Sequence, residues 1–194
     1  MDVQVAEWLL AAALAIALSA TAGLRAWLPL LLAGLLMRAG WLELGPTFAF
    51  LASTKALIVF GAATVIEVLG DKIPAVDHAL DLLGTPLKVG AGALLAAAAF
   101  GTVTDPLTSI TLGLAVGAPT ALVPHAAKSL FRVTSTALTG GLANPLISLL
   151  EDVITLALFA LAVLVPLAVA GLVLLVVAVL AKRRSSPPRV ESAA

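Results

Sequence analysis

The strongest constraint on the fold is a long uncharged segment near the C-terminus. No charged residue occurs in the 29 positions from Val153 to Ala181. As a helix, this segment would extend roughly 43 Å, whereas a hydrocarbon core about 30 Å thick needs roughly 20 apolar residues. The segment therefore predicts either one tilted membrane helix that is kinked at Pro166 or two short helices.

The composition of the whole chain indicates the same environment. Hydrophobic residues make up 61% of the sequence and charged residues 11%, whereas soluble domains have about 25% charged residues. Eleven basic and eleven acidic residues leave no net charge, so the basic surface of a nucleic-acid-binding protein is not expected. Without cysteine, disulfides, thiol catalysis and Cys-ligated metals are excluded. These features predict an all-α polytopic integral membrane protein.

Other apolar segments predict six or seven transmembrane helices in total. The spans expected before the last segment are Trp8–Leu24, Ala26–Met37, Thr47–Leu69, Val89–Thr104 and Leu107–Val123. Residues 73–84 have the pattern of a short amphipathic helix on the membrane surface. The Thr- and Gly-rich segment 133–150 suits a loop or a re-entrant half-helix, with a helix start at Asn144–Pro145.

Residues 1–182 are predicted to form a single transmembrane domain, and residues 183–194 a disordered tail. Basic residues in short loops mark the cytoplasmic side, and the C-terminal end of the chain carries Lys182, Arg183, Arg184 and Arg189. We therefore expect a cytoplasmic C-terminus. The distribution of basic residues between the two sides favours seven spans over six.

Polar residues recur at helical spacing in two of the predicted helices. The first stripe contains Ser53, Thr64, Glu67 and Asp71, and the second contains Asn144, Ser148, Glu151, Asp152 and Thr155. Charged side chains at membrane depth cost about 3 kcal/mol each and commonly mark functional sites. We predict that Glu67, Asp71, Glu151 and Asp152 bind a cation or protons, and that the uncharged members line a substrate path. Arg25 and Lys72 are the predicted counter-charges.

The two stripes lie in segments that resemble each other, about 8–72 and 88–165. Such a pattern is typical of inverted-repeat transporters, whose helices are broken at the binding site. The alternative is that Ala- and Leu-rich helices resemble one another by composition. In that case Glu67 and Asp71 merely mark a helix end at the membrane interface.

Four sequence blocks resemble a known family. GLRAWLPLLLAGL, EVLGDKIPAVDHALD, GAGALLAAA and GLANPLISLLEDVITL look like the bacterial integral-membrane family called Domain of Unknown Function 4126, over roughly residues 10–175. This resemblance implies a multi-pass protein of the bacterial inner membrane. EVLGDK is also loosely similar to the Glu-x-Gly-Asp-Lys signature of calcium and manganese cation–proton exchangers, although it has one residue more.

These observations predict a small transporter or permeation protein that moves a cation coupled to protons. Carboxylate and hydroxyl oxygens suit Mn²⁺, Ca²⁺ or Mg²⁺ as the transported ion. No bound cofactor and no enzymatic activity are expected. The expected partners are the lipid bilayer and the small cation or proton. The sequence leaves open whether the protein forms a homo-oligomer.

Two alternatives stay open. One is a non-catalytic membrane assembly or scaffold subunit, in which His125, Lys128 and Arg132 contact lipid headgroups. The other is a lipid-modifying membrane enzyme. It would use Asp77, His78 and Asp81 at the surface, with Lys88 binding a phosphate headgroup.

Overall fold

The structure is a computed structural model that describes residues 2–71 and 84–165 in full, and the helical backbone of residues 74–83 and 166–184. The described part of the chain is helical and contains no β-strand. The helices are α1 (Val3–Leu24), α2 (Trp27–Arg38), a 3₁₀ helix (Pro46–Ala52), α3 (Thr54–Gly70), α4 (Pro74–Phe100), α5 (Pro106–Leu112), a π-helical turn (Gly113–Gly117), α6 (Ala118–Thr139) and α7 (Asn144–Arg184).

Three described segments are long and apolar enough to cross a membrane: Val3–Leu24, Pro106–Thr139 and Asn144–Val165. A fourth is added if the 3₁₀ helix and α3, which meet at an angle of 59°, form one span. The helices α2 and Gly84–Phe100 are apolar but shorter. This architecture is that of an all-helical membrane protein.

The predicted span Thr47–Leu69 is not one straight helix. It bends between the 3₁₀ helix and α3, where Ser53 is the N-cap of α3 and its Oγ accepts the N–H of Ala56 at 3.2 Å. Capping by a serine side chain satisfies a backbone donor that has no partner in the first turn of a helix.

The start of α5 is capped in the same way by the exposed Asp105. Hydrogen bonds from Thr108 and Leu107 to Asp105 hold the pKa of this carboxyl below its usual value.

Helix α4 is longer than predicted. The sequence predicts a surface helix at 73–84 that is separate from a span beginning at Val89, but the backbone is helical from Pro74 through Phe100. Pro86 lies within this helix, as proline often does in membrane helices, where neighbouring groups satisfy the freed backbone carbonyl. The side chains that made the predicted surface helix amphipathic lie outside the described residues.

The prediction ends the fifth span too early, at Val123. The helix continues to Thr139, and the π-helical turn before α6 accommodates Pro119, which has no N–H to donate. Gly140 then ends α6 in the left-handed conformation, with φ of 63°, which glycine adopts at low cost. The segment 133–150, predicted as a loop or a re-entrant half-helix, is a turn only at residues 140–143, and α7 begins at Asn144 as predicted.

Small residues allow α1, α4 and α6 to approach at backbone distance. A Cβ atom on Gly92 would lie 2.6 Å from the Cβ of Ala121 and 3.0 Å from the carbonyl oxygen of Gly117. The Ser19 hydroxyl of α1 donates to the carbonyl of Gly92 at 2.8 Å. Close packing through small residues is the usual way in which membrane helices associate. These contacts fix α4 against both α1 and α6.

Candidate functional site

The candidate site is a buried group of charged side chains where several helix ends meet. It lies after α1, before α2, after α3, on α6 and in the first turns of α7. We call it the ion-pair cluster, and its members are Arg25, Asp71, Lys128, Arg132, Glu151 and Asp152.

Arg25 joins three parts of the chain. It occupies the extended residue between α1 and α2 and is fully buried. Its Nη1 contacts Asp71 after α3, and its Nη2 lies 2.7 Å from Oδ1 of Asp152 on α7. Nη2 also donates to the hydroxyl of Ser148 at 3.0 Å. A guanidinium suits such a position because its donors point in several fixed directions in one plane.

Two basic residues of α6 pair with carboxylates of α3 and α7. The Nζ of Lys128 lies 2.8 Å from Oε2 of Glu151 and 3.4 Å from Oδ2 of Asp71. Nη2 of Arg132 contacts the same two carboxylates, at 3.1 Å from Asp71 and 3.3 Å from Glu151. Glu151 therefore bridges two cations and Asp71 bridges three, including Arg25, so the pairs form one connected network.

The ion-pair cluster is electrically balanced and largely shielded. Three cationic and three anionic side chains make up the cluster, and the exposed fractions are 5% for Asp71 and 6% for Glu151. Removing charges from water costs several kcal/mol per ion, which good pairing and hydrogen bonding must offset. Loss of one member would therefore leave an opposite charge buried without full compensation.

Glu67 lies beside the ion-pair cluster but has a different role. Its Oε1 accepts the N–H of Ala26 at 2.9 Å, and its Oε2 accepts the N–H of Trp27 at 3.2 Å. These N–H groups begin α2 and have no partner within the helix. Negative charge at a helix N-terminus is also favoured by the helix dipole. Glu67 thus fixes the start of α2 against the C-terminal part of α3.

Replacing Glu67 with alanine should therefore destabilise the protein by about 1–2 kcal/mol, as expected for loss of a helix cap. Thermal unfolding in detergent, followed by circular dichroism, measures this loss. Glu43→Ala is the matched control, because Glu43 is exposed. Equal unfolding temperatures of Glu67→Ala and Glu43→Ala would contradict this role.

The structure places two of the predicted polar residues against the ion-pair cluster. Ser148 is fully buried and contacts Arg25 through its hydroxyl and, at 3.3 Å, through its carbonyl oxygen. Thr155 is also fully buried, but its hydroxyl donates to the carbonyl of Glu151 at 2.7 Å. The hydroxyl of Thr155 is therefore bonded within α7 rather than presented to a path.

Other predicted site residues lie elsewhere. Ser53 is exposed and caps the opposite end of α3 from Asp71. Asn144 donates from Nδ2 to the hydroxyl of Thr136 at 3.1 Å, beside the turn between α6 and α7. Thr64 is buried one helical turn before Glu67, and Lys72 lies outside the described residues. Of the predicted residues, the structure therefore brings together four charged ones and one hydroxyl, but not the whole polar stripe: Arg25, Asp71, Glu151, Asp152 and Ser148.

The sequence interpretation missed the roles of Lys128 and Arg132. It placed them after the end of a span and, in the scaffold alternative, at lipid headgroups. A usable signal was present in their spacing, because α6 buries residues that recur every three or four positions, as on one face of a helix. These buried residues are Ala121, His125, Lys128, Arg132 and Ser135.

A second polar contact joins α4 and α6. Nδ1 of His125 lies 3.4 Å from Nζ of Lys88, and Nε2 lies 2.8 Å from the hydroxyl of Thr85. An ammonium group can only donate, so Nδ1 accepts and the network assigns the ring proton to Nε2, which donates to Thr85. Lys88 is therefore buried within the helical assembly.

The described residues contain no group of three or more His, Cys, Asp or Glu side chains arranged to hold a metal ion. In the ion-pair cluster, Asp71 and Glu151 face ammonium and guanidinium groups instead. A cation that used these oxygens would have to replace the basic side chains. Cation binding by Glu67, Asp71, Glu151 and Asp152 stays a prediction.

Comparison with known proteins identifies the family. The family model described as Domain of unknown function (DUF4126) matches residues 12–184. The chain belongs to this family. No curated protein and no solved structure matches the chain. Membership of DUF4126 confirms the resemblance seen in the sequence blocks, while the similarity to cation–proton exchangers stays a prediction.

Proposed function

We propose that this DUF4126 protein is a small membrane transporter or permeation protein that exchanges a divalent cation for protons. The observation that supports the proposal is the ion-pair cluster. In it, Asp71 after α3 and the carboxylates of α7 share basic partners, which come from α6 and from Arg25 between α1 and α2. Charges buried among membrane helices are rare and commonly lie on ion or proton pathways.

The mechanism follows from competition for the same carboxylate oxygens. Without a transported cation, Lys128 and Arg132 neutralise Asp71 and Glu151. Mn²⁺, Ca²⁺ or Mg²⁺ prefers such oxygen ligands and would displace the ammonium group of Lys128. Protons that bind these carboxylates would in turn release the cation, because a neutral carboxyl is a weaker ligand. Cation and proton thus occupy the site alternately.

The architecture that we propose for this transporter has six or seven membrane crossings and an inverted repeat over about 8–72 and 88–165. Support comes from the origin of the carboxylates, since Asp71 belongs to the first half and Glu151 and Asp152 to the second. The basic tail favours a cytoplasmic C-terminus in the bacterial inner membrane. The likeness of EVLGDK to the exchanger signature adds weak support for cation chemistry.

A specific observation favours a second candidate, the assembly or scaffold subunit. The charges of the ion-pair cluster balance, and the helices beside it pack at backbone distance around Gly92. A permanent structural network would have the same features. The structure offers no observation on the lipid-modifying enzyme, because the side chains of Asp77, His78 and Asp81 lie outside the part of the chain that it describes in full.

Reconstitution into liposomes tests the exchange. Uptake of Mn²⁺ and Ca²⁺ is followed together with a pH dye inside the vesicles, for wild type, Asp71→Asn and Glu151→Gln. We expect each substitution to slow coupled flux at least about tenfold, the effect of 1.4 kcal/mol on a rate. Glu7→Gln and Glu43→Gln are the controls, since both residues are exposed, and they should keep wild-type flux.

Variants are compared only if they elute from size-exclusion chromatography like wild type, so that misfolding is not read as lost transport. Flux that is equal in wild type, Asp71→Asn and Glu151→Gln would contradict the proposed site. A wild-type protein that moves neither ion nor protons would favour the scaffold subunit.

A further inference from the structure

A cavity of about 130 Å³ adjoins the ion-pair cluster between α2, α3 and α4. Its walls include Trp27 and Glu67 at the start of α2 and the end of α3, with Ala63 further along α3. Leu87 and Lys88 line it from α4. Asp71 lines this cavity and also belongs to the ion-pair cluster, so it connects the two.

The cavity has both the polarity and the size to hold water. Two carboxylates and one ammonium group line it, and the exposed fractions of Asp71 and Lys88 are 5% and 4%. A buried water needs polar partners and enough room, and each water in the liquid occupies about 30 Å³. The volume therefore suits about four waters. An apolar cavity of this size would be expected to stay dry.

We infer that this cavity is a water-filled chamber through which protons and small cations reach Glu67 and Asp71. The inference rests on the proposed exchange and names its access route. Glu67 lines the chamber and accepts the N–H groups of Ala26 and Trp27. Asp71 lines the chamber and belongs to the ion-pair cluster. Water in the chamber would therefore reach both the start of α2 and the ion-pair cluster.

The chain has no cysteine, so single cysteines can report water access directly. The test variants are Ala63→Cys and Leu87→Cys, which line the chamber. Ala62→Cys is the matched control on α3, because Ala62 is not among the residues that line the cavity and is exposed on the helical surface, which faces lipid in the proposed span. Ala15→Cys is the dry control, because Ala15 is fully buried in the core.

Each variant is reconstituted in liposomes and exposed to Ag⁺, an ion of simple shape that binds thiolates. Remaining free thiol is then counted with a maleimide after denaturation. Thiolates form only where water supports the charge. We therefore expect Ag⁺ to block the maleimide reaction of the cysteines in Ala63→Cys and Leu87→Cys. This block should develop at least about tenfold faster than in Ala62→Cys and Ala15→Cys.

Protection of the chamber variants at the rate of Ala15→Cys would overturn the inference, and so would equal, rapid protection of all four variants. The outcome is independent of the transport assay. Rapid protection without any ion flux would keep the chamber and reject exchange, whereas flux with unprotected chamber variants would reject the chamber alone.

Filling the chamber gives a second readout. Ala63→Leu occupies part of the volume, and Ala62→Leu adds the same side chain one residue away on the exposed surface. We expect Ala63→Leu to slow proton-coupled flux while Ala62→Leu does not. Equal flux in two variants that both elute as folded protein would also overturn the inference.

Discussion

Replacing Arg25 with methionine is expected to cause the largest loss of stability of any single substitution in the ion-pair cluster. The guanidinium is fully buried and contacts Asp71, Asp152 and Ser148. Removing one partner of a buried ion pair costs about 3–5 kcal/mol, because the opposite charge stays buried without compensation. Thermal unfolding in detergent, followed by circular dichroism, measures the loss.

Two further substitutions separate charge from geometry at this position. Arg25→Lys keeps the charge, but a single ammonium group cannot bridge three partners in the way a guanidinium does, so its stability should lie between those of wild type and Arg25→Met. Arg38→Met is the matched control, because Arg38 is exposed and surface changes usually stay within about 0.5 kcal/mol. If Arg25→Met unfolded at the wild-type temperature, the cluster would not be a structural element.

The second large effect is expected at Gly92. Leucine at this position would press on the Cβ of Ala121 and on the backbone of Gly117, and the backbone cannot move aside without displacing α6. Overpacking costs about 1–3 kcal/mol in soluble cores and occasionally more. We expect a cost at or above about 3 kcal/mol, since a main-chain contact is blocked. The yield of monodisperse protein in detergent measures the effect.

Gly90 on the same helix provides the control for Gly92. It is exposed, and no atom lies within 4 Å of the position that a Cβ would occupy. Gly90→Leu should therefore give monodisperse protein at wild-type yield, while Gly92→Leu should give little or none. Similar yields for both variants would show that the close approach of α4 and α6 is not required.

Local sequence signals predicted several helix boundaries. The start of α7 at Asn144–Pro145 and the break before α2 at Arg25 follow from proline preference, charge and the lengths of apolar runs. The bend at Ser53 was missed because serine fits both a polar stripe and a helix cap, and spacing alone does not distinguish these roles.

The carboxylates of the candidate site were predictable, but their partners were not. Helical spacing correctly places Glu151 and Ser148 on one face of α7, and both lie in or against the ion-pair cluster. Lys128 and Arg132 were assigned to a position beyond a span that was taken to end at Val123. Prolines usually end helices, but the helix continues past Pro119, which follows the π-helical turn, and past Pro124 within α6.

The way in which the helices pack together depends on contacts between residues that are distant in sequence. Gly92, Gly117 and Ala121 set the distance between α4 and α6, and no periodicity within a single helix contains this information. Charge balance in the ion-pair cluster is likewise a property of the assembled helices. The sequence therefore predicts which faces are polar, but not which of them meet.

Uphill transport of Mn²⁺ would distinguish proton-coupled exchange from passive permeation and from a scaffold role. Purified protein is reconstituted in liposomes with equal Mn²⁺ on both sides, and a pH gradient is imposed with the lumen acidic. Exchange of protons for cation predicts that wild-type vesicles accumulate Mn²⁺ above the external concentration, and that a protonophore or Asp71→Asn abolishes the accumulation. Mn²⁺ that stays at its external concentration in wild-type vesicles, while the pH gradient persists, would contradict proton-coupled exchange.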